Sequence, residues 1–334
     1  MSTIKEFDFS NLLKRISELQ VQTIENIPAD RLEWILSEFA LSWGQRLPLK
    51  QIWMPELPPT TQELVDFYSP FSTAADFPHV LPRQINILSV VTACIGLHLM
   101  LLDYIIDEPR TALVAEKIAL QPLLLHAYRL LNRLFSVDSM FWNEAERLLN
   151  LTSQTMLDEY RTYNGKVRPF SLSQFKRIAC GKTAFMQINC TAMATLNNTP
   201  ELIPVLRKCW DAIGLGITVR DDFKDWRKDY DNANYTYLLS QVLLSDPFKK
   251  DVEAGQLPEP EVISAALFCT DLLESLYELS YEELRTAATL ATEINCLALA
   301  ELIQGFQQTI KDQSVDILNR KFETILSMNT HNLQ

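Results

Sequence analysis

The chain has 334 residues, enough for one large or two ordinary domains, and 47% of them are hydrophobic. The formal net charge of −12 argues against a nucleic-acid partner, because phosphate contacts need a basic face. Only 8 glycines occur, and apolar residues recur at helical spacing along most of the chain, whereas strand-like alternation is scarce. The predicted fold class is therefore all-α.

The cellular location is predicted from the cysteines and the apolar segments. The 6 cysteines are scattered without a CxxC pairing, as in reduced cytosolic proteins, and the first twenty residues lack an apolar stretch of the signal-peptide type. Residues 84–102 carry no charge and approach the length of a membrane span. Polar residues interrupt them and acidic residues follow, so a buried core helix is the preferred interpretation. We expect a cytoplasmic protein without an integral membrane span.

Helices are predicted in chain order from hydrophobic periodicity and from proline and capping signals. Residues 8–45 fit two short helices, and two irregular, proline-containing segments separate them from the rest of the chain. The remaining helices are expected near 83–107, 113–135, 138–163, 171–195, 200–230, 235–250, 258–281 and 281–325. No flexible linker separates them. We expect residues 1–334 to form a single all-helical domain, with 1–82 as an N-terminal helical extension and 83–330 as the main bundle.

Aspartate repeats at an unusual spacing in VRDDFKDWRKDY, residues 219–230. A helix turns about 100° per residue, so all of these carboxylates fall within one quadrant over roughly two turns. They are Asp221, Asp222, Asp225 and Asp229. Crowded carboxylates repel one another unless a cation lies between them, and hard divalent cations such as Mg²⁺ prefer oxygen ligands. The cluster therefore indicates a metal site.

A second pair of aspartates ends the helix predicted at 83–107, where Asp103 and Asp107 lie about 40° apart on one face. The segments 96–107 and 214–225 match without gaps, each with a glycine followed by aspartates seven and eleven residues later. A match over twelve residues can arise by chance. If it is real, two helices carry equivalent carboxylate pairs, and two such faces opposed across a cavity could hold metal ions around a diphosphate.

The alternative interpretation of both clusters is an ordinary solvent-exposed helix. The aspartates at 221–229 are interleaved with Lys224, Arg227 and Lys228. A surface helix with many salt bridges has the same pattern. The two clusters taken together favour metal binding, because charges that end a long apolar helix are otherwise difficult to explain.

The cluster at 221–229, DDFKDWRKD, resembles the motif DDxxDxxxD of the trans-isoprenyl diphosphate synthases and class I terpene synthases. These enzymes form the class I isoprenoid synthase superfamily. Lys182 and Thr183, in ACGKTAFM, resemble the Lys-Thr pair of this family, and LLDYIIDE stands in the place of its first motif, DDxxD. The resemblance covers residues 85–240. It implies an isoprenoid-synthase-like helical bundle around a central active-site cavity, and the main bundle is then the catalytic one.

The resemblance implies magnesium as the cofactor, with three ions expected. The expected metal ligands are Asp103, Asp107, Asp221 and Asp225. Asp222 and Asp229 are further ligands or orienting groups, and Asp222 and Lys182 complete the predicted catalytic set. The basic residues proposed to pair with the substrate's phosphate oxygens are Lys182 and Arg220, followed by Arg177 and Lys224. Ions bridging carboxylates to the diphosphate would make it a better leaving group.

The substrate's hydrocarbon part needs a dry apolar pocket. Residues one turn before the aspartates, or on the face of Lys182, are predicted to line it: Leu99, Met100, Phe185, Met186, Asn189, Ile217 and Thr218. Ordinary core packing is the alternative for each of them. Asn234 and Tyr235, in YDNANYTY, are candidates to hold the diphosphate; a simple loop before the next helix is the alternative.

The sequence also departs from the family's pattern. Tyr104 replaces the second aspartate of the first motif, and only Arg110 remains where a pair of arginines is expected. The segment 44–49, GQRLPL, has Gln45 in place of the family's lysine. These changes weaken the site for a second diphosphate and so put isopentenyl addition in doubt. They leave the ionisation of one allylic diphosphate intact.

The predicted function is a magnesium-dependent class I terpene synthase, a cyclase or lyase that ionises an allylic isoprenyl diphosphate of C15–C20 or longer and releases diphosphate. One alternative is an isoprenyl diphosphate synthase or prenyltransferase, which joins the allylic diphosphate to an acceptor. The non-enzymatic alternative is a degenerate helical scaffold. The resemblance also suggests a homodimer.

Overall fold

The protein is all-helical in a computed structural model that describes residues 19–28, 31, 70–107 and 114–331. The helices are α1 (Val21–Asn26), α2 (Pro82–Asp107), α3 (Val114–Leu134), α4 (Met140–Tyr163), α5 (Leu172–Lys182), α6 (Gln187–Leu196), α7 (Ile203–Asp231), α8 (Tyr237–Leu243), α9 (Lys249–Glu253), α10 (Pro260–Cys269), α11 (Leu272–Glu293) and α12 (Leu297–His331). Shorter 3₁₀ segments are Pro70–Asp76, Ala184–Met186 and Pro200–Leu202. Within these described ranges, strand pairing is limited to one isolated antiparallel bridge between Asn164 and Asn234. The predicted all-α class is confirmed.

Two predicted helices are each divided in the structure. The helix predicted at 171–195 is split at Thr183 into α5 and α6, and the helix predicted at 235–250 is split into α8 and α9. The hydroxyl of Thr183 donates to the carbonyl oxygen of Ala179 at 2.9 Å, which competes with the hydrogen bonds of the helix. Lys182 is the last residue of α5.

The helices predicted at 258–281 and 281–325 are also divided differently, because α11 runs without interruption through residue 281. Helix α11 ends where Asn295 adopts a left-handed conformation with φ 58°. The backbone N–H of Cys296 then donates to the carbonyl oxygen of Ala291 at 2.8 Å and closes the helix. Asparagine is one of the few residues other than glycine that adopt this conformation, so Asn295 is the actual stop signal.

The chain divides into two compact units, here called the first and the second unit. The first unit comprises residues 1–150 and 185–206, and the second comprises 151–184 and 207–334. That residues 1–334 form one domain with an extension at 1–82 stays a prediction, and most of that extension lies outside the described residues.

In the first unit, α2 packs against α1, α3 and α6. Two side-chain contacts fix these helices. Asn86 Nδ2 donates to the carbonyl oxygens of Ile24 and Ile27, at 3.1 and 2.9 Å. Thr92 Oγ1 donates to Asn189 Oδ1 on α6 at 2.6 Å. The polar residues that interrupt α2 therefore have partners inside the protein, and none of the helices in the described ranges combines the length and the apolar character that a membrane span needs.

In the second unit, α11 packs along α12, and α10 packs against both of them. Two glycines allow other helices of this unit to approach closely. The side chain of Thr155 on α4 occupies the space where a Cβ at Gly181 on α5 would stand. The side chain of Thr183 does the same at Gly214 on α7. These contacts draw the C-terminal half of α4, the end of α5 and the middle of α7 together.

Candidate active site

The aspartate cluster lies on α7, in its last three turns, and the predicted helical conformation is confirmed there. Its members differ in exposure. Asp221 is exposed, Asp222 is buried with 9% of its surface accessible, and Asp225 and Asp229 are half-buried. A surface helix held by salt bridges would keep all of its carboxylates in solvent, so the burial of Asp222 is not explained by that alternative.

Asp222 has one carboxylate oxygen, Oδ2, that is buried without a hydrogen-bond partner among the described residues. Burial raises the pKa of Asp222 well above its usual value, and the neighbouring carboxylates of Asp229, Glu159 and Asp221 raise it further. The ammonium group of Lys182 acts in the opposite direction. A buried carboxyl group with an unpaired oxygen among other carboxylates is costly, and a cation would relieve that cost.

The pKa of Asp225 is also raised by burial and by a neighbouring carboxylate. Burial and the neighbouring Asp221 raise its pKa from 3.8 to about 6, although Lys228, Lys224 and Lys182 act in the opposite direction. The interleaved lysines therefore offset the crowding of the carboxylates only in part.

Lys182 lies beside the cluster and forms an ion pair with Glu159 of α4. Its Nζ atom is 3.2 Å from both carboxylate oxygens of Glu159, and the side chains are 29% and 17% exposed, respectively. Glu159 is not among the site residues predicted from the sequence. The sequence DEYRTY places a glutamate one helical turn before a tyrosine near the end of α4, but it does not show which helices that turn faces.

That tyrosine, Tyr163, is also a residue that sequence reasoning missed. It is 1% exposed, and its hydroxyl group has no hydrogen-bond partner within the described parts of the chain. Burial raises its pKa well above the usual value, and the carboxylates of Asp222 and Glu159 add to this effect. The ring contacts Phe170, with centroids 5.3 Å apart. Tyr163 therefore has its ring in an aromatic cluster and its hydroxyl close to the acidic groups.

The segment that follows α7 is tied to the end of α4. Asn234 Nδ2 donates to Asp229 Oδ1 at 3.0 Å. The backbone N–H of Tyr235 donates to the carbonyl oxygen of Tyr163 at 2.9 Å, and Tyr235 itself is buried. Of the two candidates to hold a diphosphate, Asn234 thus orients an aspartate of the cluster, and Tyr235 packs in the interior.

The other three basic residues predicted to contact the phosphate oxygens lie in different environments. The guanidinium carbon of Arg220 lies 5.6 Å from the centroid of the Phe306 ring on α12. Arg177 is 59% exposed and pairs with Asp158 at 3.1 Å. Lys224 is half-buried on α7, where its charge lowers the pKa of Asp225.

The predicted pocket residues are distributed over both units. Ile217 is half-buried and Thr218 is buried in the second unit. Leu99 and Met186 are buried in the first unit, where Phe185 and Asn189 are half-buried. Burial alone fits both a pocket lining and ordinary core packing, so their role stays a prediction.

The first carboxylate pair belongs to the first unit, and its predicted convergence with the second cluster stays a prediction. Asp103 is half-buried on the last turn of α2. The side chains of Asp107, Met100 and Tyr104 lie outside the described part of the structure, as do Gln45 and Arg110.

No group of three or more histidine, cysteine, aspartate or glutamate side chains converges as a ready-made metal site within the described ranges. A closed cage made only of protein ligands is therefore not what the described cluster provides. Mg²⁺ typically takes one or two carboxylates together with substrate phosphate oxygens. The unpaired oxygen of Asp222 and the raised pKa of Asp225 fit a cation that arrives with an anionic ligand.

Comparisons with known proteins identify the fold, although no protein-family model and no curated protein matches the sequence. The octaprenyl pyrophosphate synthase from Helicobacter pylori matches 84% of this chain and 99% of its own, with a TM-score of 0.61 and 13% identity. The geranylgeranyl pyrophosphate synthase from Corynebacterium glutamicum matches 90% and 92%, with a TM-score of 0.61 and 16% identity. A polyprenyl synthase from Caulobacter crescentus, solved with calcium and isoprenyl diphosphate, matches 84% and 97%, with a TM-score of 0.57 and 13% identity. The chain has the fold of the trans-isoprenyl diphosphate synthases, as predicted.

Proposed function

We propose that the protein is a magnesium-dependent prenyltransferase that ionises an allylic isoprenyl diphosphate and joins the prenyl group to an acceptor. The observation that carries the proposal is the buried carboxyl group of Asp222, whose unpaired oxygen lies in the DDxxDxxxD cluster of α7. The fold supports the same function, because the solved structures that share it are named as prenyl diphosphate synthases. This support favours the prenyltransferase over the terpene synthase that the sequence first suggested.

The residues proposed to hold Mg²⁺ are Asp221 and Asp225 on α7, together with Asp103 and Asp107 of the first motif. Three ions are expected. When bound, the ions neutralise the diphosphate and make it a better leaving group. Asp222, the buried carboxyl group of the same cluster, would orient these ligands.

The proposed contacts to the diphosphate come from Lys182, with Arg220, Arg177 and Lys224 as secondary candidates. Lys182 is the best placed of these, because it already lies close enough to the carboxylates to influence the pKa of both Asp222 and Asp225. A compact ammonium group on a flexible stem is well suited to follow phosphate oxygens. Asn234 contributes indirectly by holding Asp229.

A terpene synthase remains the second candidate, and a specific observation favours it. Tyr104, Gln45 and the lone Arg110 depart from the pattern that binds a second diphosphate. An enzyme that ionises one allylic diphosphate without a second diphosphate substrate does not need those groups.

Product analysis with farnesyl and geranylgeranyl diphosphate distinguishes the two candidates. The chain is incubated with each substrate and Mg²⁺, with and without isopentenyl diphosphate, and Asp221→Asn serves as the matched inactive variant. A product lengthened by five carbons supports the synthase, whereas a hydrocarbon or alcohol from one substrate alone supports the terpene synthase.

Binding of magnesium pyrophosphate tests the enzyme proposal itself. We expect calorimetry to detect binding that needs both Mg²⁺ and the carboxylate of Asp221. If pyrophosphate does not bind to the wild-type protein in the presence of Mg²⁺, the enzyme proposal is overturned and the helical scaffold remains. A homodimer stays a prediction, which sedimentation would test.

A further inference from the structure

The ion pair between Lys182 and Glu159 has an unusual position. Glu159 adds a negative charge to a region that already contains Asp222 and Asp229, and it raises the pKa of both Asp222 and Tyr163. A carboxylate in this place also repels an incoming diphosphate. The charge of Glu159 therefore acts on the aspartate cluster as well as on Lys182.

The geometry of the ion pair between Glu159 and Lys182 indicates what the carboxylate does at the site. Both carboxylate oxygens of Glu159 lie 3.2 Å from Lys182 Nζ, so the ammonium group is held by a forked acceptor that resembles two oxygens of a phosphate group. The two side chains are mostly shielded from solvent, at 17% and 29% exposure, but they are not sealed. The glycine contact between Gly181 and Thr155 holds the two helices in close register at this point.

We propose that Glu159 is a positioning residue that holds Lys182 in the absence of substrate and releases it to the diphosphate. The carboxylate and the diphosphate compete for the same ammonium group. Glu159 therefore lowers the affinity of the site for diphosphate and favours the release of the pyrophosphate product. The inference rests on the proposed function, since it takes Lys182 as a diphosphate ligand.

Lysine is suited to such an exchange. Its charge is compact and lies at the end of four flexible methylene groups, so it can move between two acceptors without a change in the helix. Lys182 is also the last residue of α5, and the chain turns at Thr183. A diphosphate carries more negative charge and more acceptor oxygens than one carboxylate, so it can displace Glu159 from the ammonium group.

The test is calorimetric titration with magnesium pyrophosphate. We expect Glu159→Gln to bind pyrophosphate about three- to tenfold more tightly than the wild-type protein, because the competing charge is removed while the shape is kept. The matched control is Glu283→Gln, which removes the ion pair of 2.6 Å between Glu283 and Lys176. Lys176 lies on α5, the same helix as Lys182. Its affinity should stay within about twofold of the wild type.

A double-mutant cycle distinguishes competition from simple repulsion. In a Lys182→Met background, Glu159→Gln should lose most of its effect on binding, because there is no ammonium group to compete for and only the weaker direct repulsion is relieved. If the full gain persists in that background, the glutamate acts only by repulsion and the inference is overturned. Equal or weaker binding by Glu159→Gln in the wild-type background overturns it as well.

Failure of this inference is distinguishable from failure of the proposed function. Pyrophosphate that does not bind to the wild-type protein overturns the function. Pyrophosphate that binds equally well to the wild type and to Lys182→Met overturns the exchange and the proposed contact of Lys182, but not the metal-dependent binding of diphosphate. Thermal melts of every variant verify folding. Glu159→Asp is a second variant that keeps the negative charge but moves it farther from Lys182. Its affinity for pyrophosphate should lie between those of the wild type and Glu159→Gln.

Discussion

The side chain of Thr183 at the end of α5 packs directly against Gly214 of α7, in the space that a Cβ at position 214 would need. This contact sets the approach of α5 to α7 next to Lys182 and the aspartate cluster. Because the neighbouring atoms belong to a β-branched side chain that is itself hydrogen-bonded to Ala179, they cannot move away cheaply.

We therefore expect Gly214→Ala to lower the free energy of unfolding by about 1–3 kcal/mol through overpacking. Gly305→Ala on α12 is the control, since a Cβ there would have no heavy atom within 4 Å among the described residues beyond the backbone of its own helix and its chain neighbours. That variant should be about 0.5–1 kcal/mol more stable, because alanine favours a helix interior over glycine. Chemical denaturation measures both. Thr183→Ala should rescue Gly214→Ala in part, and the absence of any rescue would contradict the contact.

The neighbouring residues Asp221 and Asp222 should respond differently to the same substitution. Asp222→Asn removes a buried ionisable group whose pKa is raised by burial, so we expect the metal-free protein at pH 8 to gain roughly 1–2 kcal/mol of stability. Asp221→Asn, at an exposed position, should change stability by less than about 0.5 kcal/mol. Thermal melts in chelator measure the difference. Equal effects of the two variants would show that the burial of Asp222 carries no cost.

The raised pKa of Asp225 predicts a pH dependence of a definite sign. Between its unfolded value of 3.8 and its folded value of about 6, the folded state binds the proton more tightly than the unfolded state does. The contribution of Asp225 to the free energy of unfolding therefore falls as the pH rises through this interval. The free energy of unfolding of Asp225→Asn, relative to that of the wild type, should rise by roughly 1–2 kcal/mol between pH 4 and pH 7, after allowance for the partial exposure of Asp225.

Denaturation of both proteins in chelator, at intervals from pH 4 to pH 8, gives this difference directly. Comparing two proteins that differ only at position 225 removes the contributions of other titrating groups. A difference in stability that does not change with pH would contradict the raised pKa of Asp225.

The connection between α4 and the segment after α7 contains a residue in an unfavourable conformation. Ala233 has a φ of 55°, and its carbonyl oxygen accepts from the N–H of Gly165 at 2.8 Å. We expect Ala233→Gly to be about 0.5–1 kcal/mol more stable, because glycine adopts this conformation without the steric cost. Gly165→Ala, at φ 74°, should be less stable by about 1–2 kcal/mol. Opposite signs in denaturation experiments are the expected result, and a loss of stability in Ala233→Gly would contradict it.

The helices themselves could be predicted from the sequence because their signals are local. Apolar spacing and proline positions indicated α2, α3, α4 and α7 to within a few residues of their observed ends. The breaks at Thr183 and Asn295 could not be predicted in this way. The first accompanies the packing of Thr183 against Gly214 from a distant part of the chain, and the second depends on a left-handed asparagine that has no distinctive pattern around it.

The candidate site was predictable to a smaller extent. The aspartates of α7 were proposed from a contiguous and fairly specific motif, and Lys182 was proposed from its resemblance to the family's Lys-Thr pair. Glu159 and Tyr163 were not, since nothing in the sequence of α4 shows that this turn faces α5 and α7. Their contribution became visible only through the contacts of Lys182 and the burial of the Tyr163 ring.

By itself, the sequence determined that the aspartates of α7 are helical and share one face, because both properties follow from spacing along a single helix. Only the tertiary structure decided that Asp222 is buried while Asp221 is exposed, although the two are adjacent. It also decided that Glu159 is the partner of Lys182. Burial and ion pairing depend on which helices pack together, and that packing is set by contacts between residues far apart in the chain.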